Sequence, residues 1–126
     1  MKPVTNLIAR ILFVIPLVAF GLGHFVNANE MAQNRIPDLP GGIMFVYLTG
    51  AALIAAAVSI LLKKKAALAT LLLGVILLLF ALMVHLPFLM SEDPVVAMSG
   101  RTNFLKDIGL AGAAWFMSGV YYKEEV

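Results

Sequence analysis

Cysteine is missing from this sequence altogether. Its absence removes disulfides, thiolate zinc sites, iron–sulfur ligation and thiol redox chemistry. Charge is scarce as well: only 13% of the 126 residues are charged, roughly half the share of an ordinary soluble domain. A net charge of +2, with no Lys/Arg run interleaved with aromatics, gives no footing for nucleic acid. There is no GxSxG element, no P-loop, no HExxH and no pair of carboxylates inside an apolar stretch, so hydrolysis and phosphoryl transfer lack support. The sequence assigns no catalytic residue, and it shows no metal-ligand spacing.

What is present is apolar. Hydrophobic residues make up 62% of the chain, more than a domain of this size can hide from water, because small domains are mostly surface. Charges divide the chain into apolar stretches, and the first three are about as long as the ~20 helical residues that cross a bilayer. None alternates as a barrel strand would. The reading is an all-α integral membrane four-helix bundle forming one domain over 1–126. Its spans are TM1 over 7–26, TM2 over 43–62, TM3 over 66–90 and TM4 over 103–122, the last with Lys106 and Asp107 in its first turn. Lys2 before the first stretch and Val26-Asn27-Ala28 behind it imitate a secretory leader, but the length of the run predicts a retained span.

The connections are polar. IPDLPGG predicts a turn at Pro37, Pro40 and Gly41-Gly42, and Lys63-Lys64-Lys65 predicts a tight turn between antiparallel helices. In the segment from Ser91 to Thr102, Ser91 is the expected cap of a short helix with Pro94 in its first turn. Four spans place both termini beside the Lys63–Lys65 turn. The excess of lysine there makes that side cytoplasmic, which in a bacterium turns the two longer loops toward the periplasm from the inner membrane.

Helices in lipid associate through close backbone approach rather than hydrophobicity. Ala51, Ala55 and Ser59 form a small-residue stripe predicted to pack TM2. Gly109 with Ala113, and Gly112 with Gly119, play that part in TM4, as do Gly21 and Gly23 in TM1 and Gly74 in TM3. Leu77 to Phe80 are expected to face lipid or fill the bundle.

Ionisable groups within spans are costly and so are candidates for function. Arg10, one turn inside TM1, either snorkels to headgroup phosphates or makes an inward salt bridge. His24 near the outer end of TM1 and His85 near the outer end of TM3 lie at similar depth, where TM4 begins with Asn103, Lys106 and Asp107. These five residues predict one polar ligand pocket near the outer surface, suited to a quinone or small lipophile held by hydrogen bonds. The bland alternative has the histidines bonding to loop carbonyls or headgroups, with Lys106 and Asp107 interfacial. Two histidines match the ligand count of a haem, but nothing else marks a haem site.

RILFVIPLVAFGLGHF, IPDLPGG, YLTGAALIAAAVSIL, KKKAALATLLLGVILLLFALMVHLP and NFLKDIGLAGAAW, in that order, resemble the DoxX-like family of small bacterial four-helix membrane proteins. The resemblance covers nearly the whole chain and takes in Arg10, Gly21, His24, Pro40, Gly50, His85, Asn103, Lys106, Asp107, Gly109 and Gly112. It departs early in TM2, where many relatives carry a Glu and this chain has Tyr47-Leu48-Thr49-Gly50. The family implies a redox-linked membrane subunit, since its relatives include a subunit of a thiosulfate:quinone oxidoreductase. The alternative is a non-enzymatic scaffold whose loops bind another membrane or periplasmic protein.

Overall fold

The computed structural model describes residues 3–31 and 42–125, all-helical and without a strand among them. Helix α1 spans Pro3–Val26, α2 Ala28–Glu30, α3 Ile43–Leu62 and α4 Ala66–Phe80. A π-helical turn over Ala81–His85 follows, then α5 over Leu86–Leu89 and α6 over Pro94–Glu125. Asn6–Val26, Ile43–Leu62 and Ala66–Leu89 are long and apolar enough to cross a membrane. Ile8, Leu12, Leu22, Leu48 and Leu72 are exposed, and apolar surface on this scale is the mark of a membrane protein. The expected turn at Pro37, Pro40 and Gly41 lies outside the described residues.

The chain forms two compact units, Met1–Ala66 and Ala67–Val126. In the first, α1 lies along α3, and glycine sets how closely. A Cβ added to Gly21 would stand 2.7 Å from Ile54 Cδ1 and 3.2 Å from the Gly50 carbonyl. One added to Gly50 would stand 2.9 Å from His24 Cβ. The buried face of α3 is Val46, Thr49, Gly50, Leu53, Ala56, Ala57 and Ile60. This corrects the predicted stripe: Ala51 and Ala55 are exposed and Ser59 is half-buried. In a helix apolar all round, alanines on several faces look alike; the closest approach falls where both helices present glycine.

The end of α3 explains Arg10. The last carbonyls of a helix have no partner within it. Lys63, left-handed at φ 55°, lets its own N–H reach the Ile60 carbonyl, while Lys64 N–H reaches that of Ser59 at 3.1 Å. Arg10 Nη1 donates to the Leu61 carbonyl at 2.8 Å, and its Nε donates to Asn6 Oδ1 at 2.7 Å. Arg10 therefore caps α3 with a cation at the negative end of the helix dipole.

In the second unit α6 starts at Pro94, nine residues before the expected 103. Asp93 caps it in place of Ser91: Asp93 Oδ1 accepts the Val95 N–H at 2.9 Å, and Ser91 Oγ accepts that of Asp93 at 3.2 Å. Pro94 then takes the first helical position, where its missing N–H costs nothing. Trp115 and Ser118 of α6 donate to the α4 carbonyls of Leu71, at 3.0 Å, and Ala67, at 2.8 Å. The Trp115 indole lies against Gly74, where an added Cβ would collide with it. Of the two places expected for Leu77, it takes the interior, whereas Leu79 is exposed. The buried side of α6 carries Gly100, Asp107, Ala111, Ala114 and Tyr121. Gly109, Gly112, Ala113 and Gly119, predicted to pack, are exposed instead.

Candidate functional site

TM3 was expected as one regular helix, but it changes register at Ala81–His85. Pro87 is the cause that the residues offer. It has no N–H for the carbonyl four residues back, and its ring crowds that carbonyl. The chain widens by a turn instead, with the Leu86 N–H reaching five residues back to the Ala81 carbonyl. Such π turns inside α-helices occur frequently at functional sites.

The widened turn ends on His85, which faces α6. His85 Nε2 lies 3.0 Å from Asp107 Oδ2, with the two side chains 14% and 4% exposed. Lys106 Nζ lies 3.6 Å from Asp107 Oδ1 and donates to Asn103 Oδ1 at 3.3 Å. The buried carboxylate thus meets an N–H donor on one oxygen and an ammonium near the other, which is the condition for keeping a charge out of water. His85, Asn103, Lys106 and Asp107 form one polar cluster within the second unit.

His24 belongs to the first unit, where its Nδ1 lies 2.6 Å from the Phe20 carbonyl one turn back. That contact makes Nδ1 the protonated nitrogen. His24 also lies against Gly50, and the neighbouring Phe25 stacks on Tyr47 with centroids 5.8 Å apart.

Gly100 was not anticipated from the sequence. A Cβ there would meet the Leu89 backbone nitrogen and stand 2.6 Å from the Phe88 carbonyl carbon. It fixes the approach of α5 to α6 one helical turn before Asn103, and so helps bring the end of the π turn to Asp107. The available signal was its spacing: Gly100, Asn103 and Asp107 share one face of a helix.

Chemically, the cluster can accept and return a proton and can hydrogen-bond a polar group on an otherwise apolar ligand. No family model, curated protein or solved structure matches the chain.

Proposed function

We propose that this is a DoxX-like integral membrane protein acting as a redox-linked subunit, with a quinone or small lipophile held at His85, Asn103, Lys106 and Asp107. The observation that carries this reading is the His85–Asp107 pair, a nearly buried polar couple in a chain whose surface is largely apolar. Intramembrane ionisable residues are expensive and generally serve a function. A hydrophobic ligand with one polar edge suits both the apolar surroundings and the few converging polar groups.

In the same proposal α6 is the fourth span, and both termini lie in the cytoplasm. The polar residues that dilute its apolar character are matched internally, with Asp107 paired to His85 and Lys106 bonded to Asn103. The lysine turn at 63–65 then marks the cytoplasmic side of a bacterial inner membrane. Cysteines placed at Glu30 and Glu92 label from outside intact cells under this topology, while one at Lys64 does not. The reverse pattern refutes it.

Trp115 is the sole tryptophan and lies two turns beyond Asp107 on α6, roughly 12 Å along the axis. A short-chain benzoquinone titrated into the detergent-solubilised protein should quench it saturably. A correctly folded Lys106→Met variant, which loses the donor of the cluster that a quinone carbonyl can accept from, should need at least about tenfold more quinone, the value of one lost hydrogen bond to a charged group. Linear, non-saturating quenching that is the same in both proteins would refute the pocket.

A further inference from the structure

The proposed pocket does not distinguish a quinone from its reduced form, but the His85–Asp107 geometry does. Resting on that reading of the site, we propose that His85 Nδ1 is a proton acceptor, and that the preferred ligand is a phenol or hydroquinone rather than a quinone.

The tautomer of His85 decides which ligands it can bind. A carboxylate oxygen can only accept, so Nε2 of His85, 3.0 Å from Asp107 Oδ2, carries the proton. In the neutral ring the other nitrogen is then a bare acceptor. Among the described residues Nδ1 of His85 takes no hydrogen bond, and the side chain keeps 14% of its surface open. His24 has the opposite arrangement, with Nδ1 as the donor to the Phe20 carbonyl. His85 is the last residue of the π turn, and it is its Nε2 that meets Asp107 of α6.

An acceptor nitrogen in an apolar setting selects ligands that donate. A hydroquinone or phenol O–H supplies that donor, whereas a quinone carbonyl sets lone pair against lone pair. The chemical step is a proton transfer. The O–H bond of the ligand breaks, the N–H bond at Nδ1 forms, and the electron pair stays on oxygen as a phenolate. The resulting imidazolium is held by the Asp107 carboxylate already bonded to Nε2. No electron moves in this step. Its use is to prepare the ligand as the anion, the form from which an electron is more easily withdrawn.

Equilibrium dialysis against the full-length protein under anaerobic conditions tests this with three probes of one ring: a hydroquinone, its dimethyl ether and the corresponding quinone. The hydroquinone should bind at least about tenfold tighter than either of the others, the difference expected for a hydrogen bond to a charge-paired group. Asp107→Asn, whose amide N–H can donate to Nε2 and move the ring proton to Nδ1, should abolish that preference or reverse it toward the quinone. Equal binding of all three by the wild-type protein overturns the inference and leaves the pocket standing. An unchanged preference in folded Asp107→Asn overturns the role given to the tautomer. Binding of none of the three overturns the pocket as well.

Discussion

Gly100→Ala lowers stability by about 1–3 kcal/mol, although alanine is the better helix former. The added methyl meets Leu89 and Phe88 backbone atoms rather than a side chain that could turn aside. The α5 backbone must therefore move, and the π turn that holds His85 moves with it. Gly109→Ala is the matched control on the same helix. An added Cβ there has nothing within 4 Å, so propensity alone acts and the variant gains up to about 1 kcal/mol. Helix loss followed by circular dichroism in a denaturing detergent series reads both. Equal stability of the two variants would mean that α5 and α6 do not approach at Gly100.

His85→Leu and Asp107→Leu each cost on the order of 3 kcal/mol, while the double variant recovers most of it. Removing His85 leaves a carboxylate that is 4% exposed with only an ammonium at 3.6 Å. Removing Asp107 leaves the Nε2–H without its acceptor. Removing both substitutes apolar volume for a desolvated couple, an exchange that is commonly neutral or favourable. A double-mutant cycle on thermal unfolding in detergent measures the coupling. If the double variant loses the sum of the two singles, the pair is not one unit. If it is as stable as the wild type, the pair contributes little to stability, and a functional reason for keeping it follows.

The helices themselves were legible in the sequence. The bounds of α3 agree at both ends because Gly42, at φ 47°, and the left-handed Lys63 punctuate the apolar run. Helix faces were not legible. In α3 and α4 every side is apolar, so periodicity cannot point inward, and only van der Waals fit decides that Gly50 packs while Ala55 does not. For the same reason Leu77 could not be told from its exposed neighbour Leu79. In the site, His85 and the 103–107 segment could be named because ionisable residues stand out against lipid-like sequence. The register change at Ala81–His85 was hidden because the apolar run continues through Pro87 to Met90, and hydropathy does not register the missing N–H that widens the turn. Arg10 was legible as a cation needing a partner, but the carbonyls it caps belong to a helix 50 residues further on.

The central claim is that the His85–Asp107 pair serves a bound lipophile. Extraction of the protein purified in mild detergent, followed by mass spectrometry of the extract, tests this most directly. A quinone or phenolic lipophile should accompany the wild-type protein at near-stoichiometric amounts and be at least about tenfold depleted in the folded His85→Leu/Asp107→Leu double variant. The same lipids in the same amounts from both proteins, with no aromatic lipophile among them, would contradict it.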